Sequence, residues 1–218
     1  VSFAIRPTYL AYFNPIAGGP DHGYEHLVDS SLDWGQDLPA LATWLQTHHR
    51  PGELVYLSYF GTGDPAYYGI KARTLAPYPP FRIMSYVYPL RPGLYCISAT
   101  MLEDVYSEWR GPWNFSREKR YQQLQREFAA PGNKMDGAML DEFGRARFAR
   151  LCLYLRVRRP DARINHNFFV FRLSADELRP VLKGDLPGLT AAIERAYQRD
   201  HPVAPEAENQ SALTAKSP

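Results

Sequence analysis

The chain has 218 residues, 45% of them hydrophobic, with a net charge of +2 and both signs mixed along its length. That suffices for one sizeable domain with its own core, and the even charge argues against a dedicated nucleic-acid binder, so no nucleic-acid partner is expected. Two cysteines, Cys96 and Cys152, cannot make a disulfide framework and lack zinc spacing, which leaves two buried thiols or one bridge open. No apolar run of about 18 residues occurs, so no membrane span is expected within these residues.

Aromatic residues make up 14% of the chain, and 15 of them are tyrosine. Tyrosine pairs a flat apolar body with a polar tip, which suits a core, an interface, a sugar surface or a membrane boundary. Residues 1–26 read as an aromatic segment with Tyr9, Tyr12, Phe13 and Tyr24, punctuated by Asn14-Pro15 and Gly18-Gly19-Pro20. It is too apolar for a free tail and is expected to pack on the domain or lie at a membrane surface. Residues 27–200 read as a single α/β domain.

The segment EHLVDSS, near residues 26–31, reads as a short strand. The following helix is signalled by Leu38, Leu41, Ala42 and Leu45 at helical spacing. Pro39 is tolerated only in a first turn, so Asp37 is the expected N-cap and the helix ends near His48. Asp33 with Gln36 also has the form of a capping box, but a start there would place Pro39 too deep. ELVYLSYFG, 53–61, reads as a second, buried strand. Strand, helix and strand make a βαβ unit with parallel strands. The loop of Asp29–Asp37 and the loop of Gly61–Gly69 are then neighbours on one sheet edge, where α/β proteins place their sites.

Residues 71–80 read as a proline-rich connection. RIMSYVYPL (82–90) and GLYCISATML (93–102) read as strands, and 103–109 as a helical turn. Helices are expected over 115–130 and about 138–156. The basic run Arg145–Arg159 is open between a solvated helix face and a contact with phosphate or anionic lipid. NFFVFRLS, 167–174, is the clearest late strand. A Ser174 cap with Glu177 opens a helix that Pro180 ends or bends, a last helix covers 186–199, and 201–218 reads as a disordered tail. The fold class is a Rossmann-like α/β sandwich, a mainly parallel sheet flanked by helices, with room for an antiparallel strand pair.

Three aspartates at intervals of four, Asp29, Asp33 and Asp37, raise the question of chemistry. Their spacing matches no calcium loop, so no metal and no other cofactor is expected. Asp29 or Asp33 with Asp64 could act as an acid–base pair; equally, each could satisfy backbone N–H groups at a turn. With Trp34, Gln36, Tyr59, Tyr67 and Tyr68 on the same edge, the inventory is that of a carbohydrate-binding surface, rings for sugar faces and polar groups for hydroxyls. Gly61-Thr62-Gly63 carries no phosphate fingerprint, no G-x-S-x-G elbow occurs, and no histidine is expected to be catalytic.

YLAYFNPIAGGPDHGYEHLVDSSLDWGQDLPAL, LVYLSYFGTGDPAYYGI and PGLYCISATML together resemble the C-terminal soluble region of bacterial membrane glycosyltransferases. The family is the polyprenyl-phosphate-sugar-dependent one, similar to protein mannosyltransferases and aminoarabinose transferases. The likeness covers about residues 7–102 and departs from the family's pattern at Pro15, where an acidic residue is usual, and at Ser31, where asparagine is. It implies a domain on the extracytoplasmic (periplasmic) side after the last membrane helix. The catalytic acidic residue would lie in the membrane part, so this chain would not perform transfer alone. The implied partners are the membrane domain of the same polypeptide and a lipid-linked sugar or glycan acceptor. The expected contact residues are Asp29, Asp33, Trp34, Gln36, Tyr59, Asp64 and Tyr68. The alternatives are a structural domain that buttresses the membrane part, and a stand-alone hydrolase using Asp33 and Asp64.

Overall fold

The computed structural model describes residues 11–14, 16, 18–28, 32–76, 86–132 and 134–202. The protein is α/β, a five-stranded mixed sheet flanked by helices. Helix α1 (Leu38–His48) precedes strands β1 (Leu54–Ser58), β2 (Arg73–Thr74) and β3 (Gly93–Ser98). A four-residue helix α2 (Ala99–Leu102) continues directly from β3, and α3 (Phe115–Ala129) and α4 (Gly137–Leu155) follow. Strands β4 (Ala162–Ile164) and β5 (Phe168–Leu173) and helices α5 (Ala175–Lys183) and α6 (Leu186–Asp200) complete the order.

The strand order is β2-β1-β3-β5-β4. β1 runs parallel to both β2 and β3, whereas β5 is antiparallel to β3 and to β4. Alternation along the strands sorts two apolar faces. Val55, Leu57, Leu94, Cys96, Phe168 and Val170 meet Leu38, Leu41 and Ala42 of α1. Tyr56, Tyr95, Ile97, Phe169 and Phe171 face the other way, onto Phe148, Leu151 and Leu155 of α4 and the apolar sides of α5 and α6. A further cluster joins Tyr121 and Leu124 of α3 to Phe143 and Ala146 of α4. Both thiols are free and buried, and burial pushes the Cys96 thiol up to about 12, so no bridge forms.

Three expectations are corrected. No strand occurs at 26–28. There Gly23–Glu25 form a short 3-10 turn, and the N–H groups of His26 and Leu27 donate to the Gly23 carbonyl at 3.1 and 3.0 Å, so the local turn uses the donors a ladder needs. The described part of the strand expected at 82–90, residues 86–90, is irregular. Its flank is held by a side chain instead: the Tyr56 hydroxyl donates to the Pro89 carbonyl and accepts from the Arg91 N–H, both at 3.0 Å. The Arg145–Arg159 run is for the most part not a solvated helix face, Arg159 alone of its arginines being exposed. Arg147 and Arg150 are buried, Arg145 bonds Asp141, Arg156 donates to the Leu102 carbonyl, and Arg158 bonds Glu177.

Two expected strands are shorter than read, 53–61 ending at Ser58 and 93–102 at Ser98, where Ala99–Leu102 turn into α2; the helix boundaries and those of β5 hold within a residue or two. The capping box of Ser174 and Glu177 forms, and α5 runs through Pro180 to Lys183. Residues 103–109 are turns after α2. Short strands β2 and β4 went unread in the sequence because neither has a run of alternating apolar residues. The tail expected at 201–218 lies, beyond 202, outside the described residues, as do Asp29 and Ser31.

Candidate functional site

The C-terminal ends of β1 and β3 lie side by side, and the β4–β5 hairpin turns at the same edge, because Ser98 pairs with Phe168 at the start of the antiparallel β5. The loop Leu32–Asp37 packs onto this rim. Its approach to the turn after β1 is close: a Cβ at Gly61 would lie 2.4 Å from the Trp34 carbonyl oxygen, so only glycine fits. The two loops expected to be neighbours are therefore neighbours at Trp34–Gly35 and Tyr59–Gly61. They meet although the strand expected before the first of them is not formed at 26–28.

Asp33 is fully buried. Its Oδ1 accepts from the Gly35 N–H at 2.9 Å and from Asn167 Nδ2 at 3.0 Å, and its Oδ2 accepts from the Phe60 N–H at 3.1 Å. The Ser98 hydroxyl also bonds it. Burial pushes the Asp33 carboxyl above its ordinary value, against the opposing pull of Ser98, Gly35, Asn167 and Phe60. Asp37 is buried beside it. Its Oδ1 accepts from Asn165 Nδ2 at 3.0 Å, and its Oδ2 from Asn167 Nδ2 at 3.2 Å and Gln36 Nε2 at 3.1 Å. Burial raises its carboxyl too; Asn165 and Asn167 oppose the rise, and the neighbouring Asp33 adds to it.

Asp37 stands at the N-cap of α1 as expected, yet its side chain makes no cap bond. Its carboxylate turns to the hairpin instead. Gln36 does not form a capping box with Asp33: its Oε1 accepts from the Trp34 N–H at 2.7 Å and its Nε2 donates to the Leu32 carbonyl at 2.9 Å, closing the loop on itself.

The hairpin tip supplies what sequence reasoning missed. Asn165 and His166 both adopt left-handed φ, +49° and +65°. Asparagine tolerates that conformation because its short polar side chain can bond locally. Here Asn165 and Asn167 reach across to Asp37 and Asp33. The signal was present: NHN between two apolar stretches is turn chemistry, but nothing in the sequence indicated which carboxylates it would meet. His166 Nδ1 lies 2.7 Å from Asp21 Oδ1, and Arg163 donates to the Asp21 carbonyl at 2.9 Å while lying over the rings of Tyr24 and Phe169. The segment around residues 21–24 thus packs on the domain at this hairpin.

Above the pinned network the surface is aromatic. Trp34 is 55% exposed and meets Phe60 edge-on at 5.3 Å. Phe60, itself buried, stacks on Tyr106 at 5.6 Å and 14°. Tyr106 comes from the turn after α2 and was not anticipated. Of the remaining expected residues, Tyr59 donates its hydroxyl to the Gly63 carbonyl. Asp64 accepts from the Ala66 N–H at 2.9 Å and caps the 3-10 turn Pro65–Tyr68. Tyr68 meets Tyr67 edge-on at 5.1 Å on the side of α1. Asp33 and Asp64 are each engaged with backbone donors, the arrangement of loop-shaping carboxylates.

Among the described residues no cluster of three His, Cys, Asp or Glu side chains could hold a metal ion, and no helix is long and apolar enough to cross a membrane. No family model, no curated protein and no solved structure matches the chain.

Proposed function

We propose that this chain, on a Rossmann-like sheet, is the extracytoplasmic domain of a polyprenyl-phosphate-sugar-dependent membrane glycosyltransferase, and that its rim assists acceptor or sugar binding rather than transferring sugar itself. One observation carries the reading: a network in which Asn165 and Asn167 donate to the buried Asp33 and Asp37 carboxylates holds the DWGQD loop, and the loop turns Trp34 outward. Rigid presentation of a large ring costs little ordering entropy on binding and is how aromatic contact residues gain affinity. The sequence likeness over about residues 7–102 supplies the context.

The structural alternative draws support at specific residues. Asp33, Gln36 and Asp37 spend their polar atoms inside the protein and shape the loop. The roles thus divide: those three position, and Trp34 touches. The hydrolase reading has less support, because the Asp33 carboxylate is fully buried and occupied by four donors.

The test is Trp34→Ala in the complete membrane protein that carries this domain. Transfer from its lipid-linked donor, assayed in membranes, should fall about tenfold, the loss of one aromatic anchor, while urea unfolding of the 218-residue chain stays put. Unchanged transfer removes the rim from the mechanism and leaves the buttress role.

A further inference from the structure

Among the described residues, one buried arginine lacks a counterion. Arg147 of α4 is 7% exposed, has no hydrogen bond or ion pair to a described residue, and lies over the Phe143 ring at 5.5 Å. Three residues on, Arg150 is buried in the same helix and is bonded to Glu118 and to the carbonyls of Val181 and Gly184. The fold therefore supplies partners to the arginine that ties its helices together and supplies none to Arg147. A buried charge without a counterion is costly. Burial lowers the Arg147 guanidinium to about 10, which leaves it charged at neutral pH.

The surroundings add cations and no acid. Tyr56 and Tyr95, neighbours of Arg147, stack at 4.6 Å on the sheet face that α4 covers. Arg73 pairs with Tyr56 across the parallel strands β2 and β1, so it stands on that same face at the edge of the sheet. It is half-buried, over the Tyr88 ring at 5.5 Å. The backbone of exposed Arg91 bonds both tyrosine hydroxyls: its N–H donates to Tyr56 at 3.0 Å and its carbonyl accepts from Tyr95 at 2.8 Å. Three arginines thus border one pair of tyrosines. Neither the Arg73 nor the Arg91 side chain meets a carboxylate among the described residues, and residues 65–102 contain no aspartate or glutamate. Arg91 comes just before the start of β3, so the cluster lies toward the end of the sheet opposite the rim.

We propose that Arg147, Arg73 and Arg91 form a binding site for a phosphate group. Guanidinium forks match phosphate oxygens in pairs, and a doubly charged oxyanion balances more than one of them, which a carboxylate does not. The group enters at the sheet edge past Arg73 and Arg91 and meets Arg147 at the floor. The segment 86–91 touches Arg73 through Tyr88 and joins the Phe143 cluster through Val87. Its described backbone is irregular and is tied by the Tyr56 and Tyr95 hydroxyls instead of a strand ladder, so it is the part that yields to the ligand. The phosphate belongs to a soluble ester or to a lipid headgroup, and the site does not depend on the reading of the rim.

The experiment titrates the 218-residue chain with inorganic phosphate and with acetate at constant ionic strength, and separately with phosphatidylglycerol vesicles, phosphatidylcholine vesicles being the control without net charge. Phosphate binding is read from the arginine Nε–H and tyrosine ring signals in NMR, and vesicle binding from co-sedimentation. Phosphate, phosphatidylglycerol or both should bind, and Arg147→Met should weaken that binding by about tenfold or more. Arg73→Gln and Arg91→Gln, at the edge, should each weaken it about threefold. Because methionine removes an unpaired buried charge, the thermal midpoint of Arg147→Met without anion should not fall. A response to phosphate alone assigns a soluble ester, and a response to phosphatidylglycerol alone assigns a lipid headgroup. No response to either at tens of millimolar phosphate or lipid overturns the site, as does binding that survives Arg147→Met, or acetate binding as tightly as phosphate. Should Arg147→Met fail to fold, the double variant Arg73→Gln, Arg91→Gln decides on the exposed edge: about tenfold weaker binding supports the site and unchanged binding overturns it.

Discussion

Two buried carboxylate clusters hold this protein together by opposite electrostatic means. In the helical layer, Arg150, fully buried, bonds Glu118 and donates to the carbonyls of Val181 at 2.5 Å and Gly184 at 2.6 Å, with its guanidinium over Tyr121. Glu118 also accepts from Trp113 Nε1 at 2.7 Å. Charge meets charge, and α3, α4 and the α5–α6 junction are tied by one residue. At the rim, Asp33 and Asp37 are held by amides, hydroxyl and backbone N–H groups, with no lysine or arginine salt bridge to either among the described residues. Neutral donors stabilise a carboxylate less than a cation does, and burial raises both carboxyls. The first cluster is an energetic clamp. The second accepts a cost in order to fix a loop that shows Trp34 to solvent.

The comparison is broken most strongly at Arg150. Arg150→Met leaves Glu118 buried without its cation and should cost about 3–5 kcal/mol in urea unfolding. A loss under 1 kcal/mol would mean the clamp is not one. Asp33→Ala comes next: it strands the Phe60 and Gly35 N–H groups and the Asn167 amide, and about 2–4 kcal/mol should be lost. The same titration on Trp34→Ala sharpens the contrast.

The rim should also declare itself in pH. A carboxyl whose folded pKa is raised binds its proton more tightly in the folded protein than in the unfolded chain. Its contribution is most favourable below the unfolded value, about 4, and declines as pH rises through the raised folded value, then levels off. The stability advantage of the parent chain over Asp33→Asn should therefore shrink on going from about pH 4 toward neutrality. An advantage that grows with pH would mean that Asp33 is stabilised as the anion. Arg150→Met gives the reference without that carboxyl changed.

Smaller effects follow. Ser174→Ala removes the capping box of α5 and should cost about 1 kcal/mol, seen as a lower midpoint in thermal unfolding. Trp34→Ala, on an exposed ring, should change stability by no more than about 0.5 kcal/mol. If it destabilises as much as Asp33→Ala, the division between positioning and touching residues collapses.

Much of the fold was legible. Helix α1 with Pro39 in its first turn, the strands β1, β3 and β5, and the Ser174 capping box all rest on local rules of spacing, proline geometry and capping. The strand expected at 26–31 failed at its described residues because a turn at Gly23 claimed the backbone donors. The solvated face expected for the Arg145–Arg159 run failed because α4 is covered on two sides, by the sheet and by α3, a matter of packing that no residue spacing reveals. At the site, Trp34 and the meeting of its loop with Tyr59–Gly61 were readable. Asn165, Asn167 and Tyr106 were not, since they lie far along the chain and their relevance depends on which strands pair.

By itself, then, the chain's order of residues determined the kinds of element and the chemistry concentrated in DWGQD. Only the tertiary structure decided that Asp33 and Asp37 turn inward to a hairpin tip while Trp34 turns out, because an antiparallel β5 brings Asn167, more than a hundred residues away, to the end of β3. Side-chain direction at a loop is set by the donors that close around it, and those donors arrive from elsewhere in the fold.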